Sequence, residues 1–334
     1  MQDRGNDRGA GGPPVPDYGR LIDAPTWAFI AETARHYPAD AVGLSLAAQR
    51  EVYDRMCRAF HASHPAGVTA ADGTAGGVAV RRYTLPGQRG TVVYLHGGGF
   101  VVGGLDSHDD VCAEICAATA ARVVSVDYRL APEHPHPAAF DDCLAAVRAV
   151  CRDHGAVVLA GDSAGAALAA SVSHALRGGT ERIAGQVLIY PGLGGDRDRG
   201  SYLTHAQAPL LTREDVLFYA RIRFAGPEPK DDPTAAVLQD RDFGGLPPTV
   251  VFAAACDPLC DDGAEYCARI RAAGGQAEWI CEEGLVHGYL RARHSVPRAA
   301  ASFAGITAAI AALRDGPGLS AASGTAAPAS PAEP

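Results

Sequence analysis

From residue 78 onward the chain alternates short, continuous apolar runs with stretches of helical period, and few architectures accept such a text. The runs cover 78–85, 91–95, 122–128, 157–160, 186–190, 249–255 and 277–281. Their apolar residues are consecutive, as in strands covered on both faces, where an exposed face would impose alternation. Helical patterns lie between them at 111–121, 138–150, 164–176 and 264–273. Strand and helix in turn predict an α/β fold: a largely parallel sheet with helices on each side and a ligand site beyond the carboxyl ends of the strands. Chemistry is therefore sought on loops that follow strands.

A chain of 334 residues, 47% of them hydrophobic, can bury roughly three quarters of its extended surface in one core. Ahead of the alternating region, Leu21, Trp27, Phe29, Val52, Met56 and Phe60 are spaced as helical faces, so residues 20–75 predict helices before a main domain at 76–314. Residues 1–19, rich in Gly, Pro and Asp, and 315–334, rich in Ala, Ser, Pro and Gly, cannot bury enough apolar surface to order themselves and are expected to be disordered tails.

The formal charge of −9, from 38 acidic residues against 29 Lys plus Arg, comes without a basic cluster able to follow a phosphate backbone, so nucleic acid is not an expected partner. No stretch approaches 18 uninterrupted apolar residues, and the first twenty lack the apolar core of a signal peptide. No membrane span and a cytoplasmic location are the expectations. Nine cysteines, an odd set scattered through apolar segments, read as free thiols of the core. Cys112/Cys116 and Cys256/Cys260 have three residues between partners and no nearby His to complete a zinc pattern, so no metal site is expected.

The run at 157–160 ends in Gly161-Asp162-Ser163-Ala164-Gly165, and a helical pattern begins at once. This is Gly-x-Ser-x-Gly in the strand-turn-helix setting that its chemistry requires. The glycines permit the tight turn that lifts Ser163 into view, and the helix start directs backbone N–H groups at a developing anion. Directly after 91–95 stand His96, Gly97, Gly98 and Gly99. Three successive glycines cost chain entropy, which points to a backbone that approaches something closely. An oxyanion hole explains them, with the N–H groups of Gly97, Gly98 and Ala164 as donors. A dinucleotide phosphate cradle would need Gly-x-Gly-x-x-Gly spacing before a helix, which is absent. His96 is expected to shape this loop.

A serine hydroxyl needs a histidine within hydrogen-bond reach and a carboxylate to fix that histidine's tautomer. In this fold they follow in the order Ser, acid, His. Downstream of Ser163 stand His174, His205, His287 and His294. His174 lies well inside the nucleophile helix, His205 has no strand before it, and His294 is expected on a surface helix. His287 follows the last strand between Gly284 and Gly288 and is the predicted base. Asp257, at the end of 249–255 and stiffened by Pro258, is the predicted orienter, whereas Asp261 and Asp262 resemble an acidic helix start.

With these residues placed, the chain resembles the hormone-sensitive-lipase-like family of α/β-hydrolases, which includes bacterial acetyl esterases and carboxylesterases. The resemblance rests on HGGGFVVGGLDSH at 96–108, DYRLAPEHPHPAAFDD at 127–142, GDSAG at 161–165, LPPTVVFAAACDPLCDDG at 246–263 and GLVHGY at 284–289. It implies the α/β-hydrolase fold: an eight-stranded, mostly parallel sheet with helices on both faces and a helical cap from the N-terminal helices and an insertion at 193–240. It implies Ser163, Asp257 and His287 as the triad, Gly97, Gly98 and Ala164 as the oxyanion hole, and Arg129 and Glu133 as braces. It implies a small-molecule substrate, a short- to medium-chain acyl ester, with no cofactor and with a homodimer as one assembly. An amidase, formamidase or lactonase would use the same triad. A ligand-binding protein on this fold is expected to lose a triad member, and here all three are present. Two departures stand out: Ala166 and Ala167 replace a common Gly-Asn, and Cys260 and Asp262 stand where Arg and Glu are common, so a local ion pair is expected to be missing.

Overall fold

The computed structural model, which describes residues 15–38 and 41–316, joins the apolar runs into one sheet. Its strands are β1 (Thr69–Ala75), β2 (Val78–Thr84), β3 (Thr91–Leu95), β4 (Arg122–Val126), β5 (Val157–Asp162), β6 (Ile183–Ile189), β7 (Thr249–Cys256) and β8 (Ala277–Val286). They lie in the order β1-β2-β4-β3-β5-β6-β7-β8. β2 pairs antiparallel with β1 and with β4, and every other pairing is parallel.

The consecutive apolar residues serve two cores at once. Val93 and Leu95 of β3, with Val157 and Leu159 of β5, pack on one face, and Val92, Tyr94, Val158 and Ala160 pack on the other. Successive side chains of a strand point to opposite faces, so a strand covered on both sides must be apolar throughout. Helices α5 (Ala138–His154), α6 (Ala164–Leu176) and α9 (Cys260–Ala272) cover the first face; α4 (Asp109–Thr119) and α10 (Pro297–Asp315) cover the second. All nine cysteines are free and eight of them are buried.

Three helices precede the sheet: α1 (Tyr18–Leu21), α2 (Ala24–His36) and α3 (Leu46–Phe60). Two more lie between β6 and β7, α7 (Ser201–Thr204) and α8 (Arg213–Phe224). The expected tails fall mostly on 1–14 and 317–334, outside the described residues. Among the described residues no helix is long and apolar enough to cross a membrane.

β1 and α10 escaped the sequence reading, whereas α7 and α8 fall within the cap insertion at 193–240 that the resemblance implied. β1 is an exposed edge whose sequence, TAADGTA, has no apolar run, and its hairpin to β2 turns on Gly76 and Gly77, both at positive φ. β8 also runs past residue 281 to Val286, because Glu282 and Glu283 interrupt the apolar text of a strand that is half exposed.

Candidate active site

β5 and α6 meet at Ser163, whose backbone is held at φ 52 and ψ −117. A side-chain-bearing residue at positive φ is strained by about 1–3 kcal/mol and persists only where its surroundings fix it. The Ser163 N–H donates to the Ile189 carbonyl at 2.8 Å, and the Ala167 N–H donates to the Ser163 carbonyl at 3.1 Å, so strand and helix hold the turn from both sides. Gly161 and Gly165 let this turn press on β3. A Cβ on Gly165 would stand 2.0 Å from the Leu95 carbonyl oxygen, and one on Gly161 would stand 2.6 Å from it. Backbone atoms cannot yield as a flexible side chain can, so Gly165→Ala is expected to cost about 3 kcal/mol or more, read as a lowered urea midpoint. A midpoint within error of the parent's would mean that the turn tolerates the methyl group.

Three strand ends deliver three side chains to one point. Ser163 Oγ lies 2.9 Å from His287 Nε2, and His287 Nδ1 lies 2.7 Å from Asp257 Oδ2. Asp257 directly follows β7 and is fully buried, and its Oδ1 accepts the Leu259 N–H at 2.9 Å. With one oxygen fixed by the backbone, the other is left to the imidazole. The remaining histidines are occupied elsewhere. His174 contacts Asp240 and the Tyr266 hydroxyl inside the core, and His205 meets the Tyr18 hydroxyl at 3.1 Å. His294 sits in a turn ahead of α10, not on a helix as expected, and contacts Glu114.

Asp261 and Asp262 do begin α9. Asp262 makes no ion pair among the described residues; its Oδ2 accepts the N–H groups of Leu193, Gly194 and Gly195 and the Tyr202 hydroxyl, so it anchors the loop after β6. Burial pushes its carboxyl up to about 6 against these donors. Arg129 and Glu133 brace as the resemblance implied, through paired bonds to Asp142 and Arg50 respectively.

The glycine loop corrects one expectation. Gly97 donates its N–H to Asp162 Oδ1 at 2.9 Å, so that N–H is already spent and cannot serve an oxyanion. Gly98, Gly99 and Ala164 border the cavity beside Ser163, and none of their N–H groups has an acceptor among the described residues. Gly98 at φ +125 and Gly99 at φ +60 need glycine, since a Cβ would meet the Val102 carbonyl at 2.1 Å in one case and the Tyr219 ring at 2.8 Å in the other. Three adjacent glycines in a sequence do not tell which N–H turns inward.

Asp162 itself supports the candidate site, and the sequence reading passed over it as an unassigned position of the pentapeptide. Besides Gly97 it accepts the Tyr94 hydroxyl at 2.8 Å and faces His108 Nε2 at 3.2 Å. Burial alone would raise its carboxyl, yet the charge and hydrogen bond of His108, the Tyr94 hydroxyl and the charge of Arg291 hold it far below the usual carboxylate range. His96 stacks on Tyr128 at 4.2 Å between ring centres and meets the Gly97 carbonyl through Nδ1 at 2.8 Å, which confirms a shaping role.

Burial, and then the neighbouring His108, press the His96 imidazole down to about 4. A histidine buried neutral stabilises the fold above its unfolded value near 6.5, and that contribution is lost as pH falls through 6.5 toward 4. For His96 the loss amounts to about 3 kcal/mol below pH 4, and His136, His174 and His205, all lowered by burial, add in the same direction. Urea unfolding at pH 7, 5.5 and 4.5 is expected to show falling stability, and a flat profile would contradict it.

The site opens into a cavity of about 470 Å³. Phe29 and Ile30 of α2, Met56 of α3, and Val216 and Tyr219 of α8 supply apolar walls, while the Tyr190 ring lies 4.8 Å from that of His287. Arg223, also on the wall, stacks its guanidinium 3.7 Å over the Phe100 ring.

Comparison with known proteins bears on the family and the fold. A family model described as the alpha/beta hydrolase fold matches residues 92–291. The chain is 40% identical over 245 residues to the esterase LipI of Mycobacterium tuberculosis, covering 69% of this chain and 76% of LipI. Among solved structures, an ester hydrolase from the Lake Arreo metagenome, complexed with a bipyridine phosphonate derivative, is 30% identical with a TM-score of 0.79, covering 87% of this chain and 98% of that one. An esterase from the bacterial hormone-sensitive lipase family is 27% identical with a TM-score of 0.79, covering 86% and 98%.

Proposed function

The chain belongs to the α/β-hydrolase family, in its hormone-sensitive-lipase-like branch, and on that premise we propose that it is a serine carboxylesterase of short- to medium-chain acyl esters. The observation that carries the reading is the continuous relay from Ser163 through His287 to Asp257, at 2.9 and 2.7 Å. Ser163 Oγ attacks the ester carbonyl while His287 Nε2 takes its proton, and Asp257 keeps Nδ1 protonated and stabilises the imidazolium. The carbonyl oxygen, now negative, is received by the N–H groups of Gly98, Gly99 and Ala164. Collapse expels the alcohol, which takes the proton from His287, and leaves an acyl group on Ser163. Water then repeats the sequence with His287 as base and frees the acid.

The helices α2, α3 and α8 act as a cap over this chemistry, built from residues 20–75 and 193–240. Their apolar side chains suit an acyl chain, and a cavity of about 470 Å³ falls in the range of small-molecule sites. Two measurements test the reading. A fluorophosphonate is expected to label Ser163 at one equivalent per chain; an unlabelled protein would point to a ligand-binding role. Rates across p-nitrophenyl esters from two to twelve carbons, beside the matching amides, are expected to peak among the shorter esters. Faster amide turnover would make the protein an amidase using the same triad.

A further inference from the structure

A second cluster of ligating side chains lies where the chain leaves α3. His61 and His64 turn their Nε2 atoms to the same oxygen of Asp109, the first residue of α4, at 3.4 and 2.6 Å. The three candidate ligand atoms all lie within 4.8 Å of one another. The other oxygen of Asp109 is taken by the Tyr83 hydroxyl at 2.8 Å and by Arg81 Nη1 at 3.0 Å, which fixes the carboxylate and leaves Oδ2 to the imidazoles. The Ala62 N–H donates to Asp110 Oδ2 at 3.1 Å, so the loop carrying both histidines is tied to the same helix start.

These spacings are within reach of a coordination sphere. Around a tetrahedral ion with bonds of about 2.1 Å, neighbouring ligand atoms stand about 3.4 Å apart. His61 is already at that separation from Asp109, at 3.4 Å, and His64, at 2.6 Å, needs to withdraw by less than about 1 Å. The surroundings favour a cation, because one guanidinium, that of Arg81, is shared among three carboxylates, those of Asp72, Asp106 and Asp109. The imidazoles are 38% and 28% exposed, which leaves a path for the ion and room for water on its open side.

We propose that His61, His64 and Asp109 form a binding site for a divalent transition-metal ion of the Zn²⁺ type, with solvent completing the sphere. Two imidazoles and one carboxylate are a donor set that zinc and its neighbours in the first row accept, whereas Mg²⁺ and Ca²⁺ prefer oxygen alone. The bound ion staples the end of α3 to the start of α4. Its neighbour in the chain, His108, faces Asp162, so the staple lies one residue from the network that positions the glycine loop.

The test uses the full chain after chelator treatment, titrated with ZnCl₂ by calorimetry. One equivalent is expected to bind and to raise the thermal midpoint. His61→Ala and His64→Ala are each expected to weaken binding by about 10-fold or more, and the double variant to lose both the binding and the thermal shift. Turnover of p-nitrophenyl butyrate by the metal-free double variant is expected to match that of the metal-free parent, which shows that it is folded. Co²⁺ loading should give d–d bands without the near-ultraviolet charge transfer of thiolate ligands. No stoichiometric binding to the parent would overturn the proposal. So would binding that survives in the double variant, or a thiolate signature from Cys260 and Cys281, whose sulfurs lie 3.8 Å apart.

Discussion

Ser163→Ala is expected to lower kcat for p-nitrophenyl butyrate by about 10⁴-fold or more while leaving the fold intact. The size follows from the relay: without Oγ, the proton that His287 would take has no donor 2.9 Å away, and only an attack by water remains. What survives comes from the N–H groups of Gly98, Gly99 and Ala164, which still polarise a bound carbonyl. The fold is expected to hold because Ala carries the same Cβ at the same φ of 52, so the backbone strain is unchanged. Ser163→Gly separates strain from chemistry. It is equally inactive, yet glycine accepts this conformation, and stability is expected to rise by about 1 kcal/mol after the extra entropy of the unfolded chain is deducted. A Ser163→Ala variant with parental turnover would end the esterase reading, and a Ser163→Gly variant no more stable than the parent would end the claim of a strained turn.

Why Ser163, Asp257 and His287 were legible in the sequence while their supports were not is a matter of where each signal lives. Each triad member follows an apolar run, so its place at a strand end could be read from the text before it. β3 and α6 were readable to the residue because their burial is nearly complete and their composition uniform. The direction of one N–H within Gly97-Gly98-Gly99 leaves no trace in composition; it is set by Asp162, which the neighbouring strand β5, distant in the sequence, brings 2.9 Å from Gly97. His61, His64 and Asp109 are joined only because α3 and α4 end and begin side by side. β1 went unread for the opposite reason: a polar edge strand carries no burial pattern to detect.

Asp162→Ala is expected to lose about 3–5 kcal/mol of stability, because it removes a buried carboxylate and strands the buried donors bound to it, the Tyr94 hydroxyl, the Gly97 N–H and His108 Nε2. His108 and the Tyr94 hydroxyl would then face an apolar methyl group, and Gly97 would keep a buried N–H without an acceptor. Asp162→Asn retains a carbonyl oxygen for Gly97 and is expected to lose less. Both variants are expected to lower kcat by about 100-fold with KM changed much less, since the damage lies in donors that matter most once the oxyanion forms. The pH dependence identifies the anion as the cause. A carboxyl held far below its usual range adds stability above the unfolded value near 3.9 and surrenders it only as pH falls through the folded value. The stability gap between parent and Asp162→Asn should therefore stay level from pH 8 to about pH 4 and close below that. A gap that closed near neutrality would mean that Asp162 holds the glycine loop as a neutral acid, and an unchanged kcat in both variants would mean that the loop keeps its shape without it.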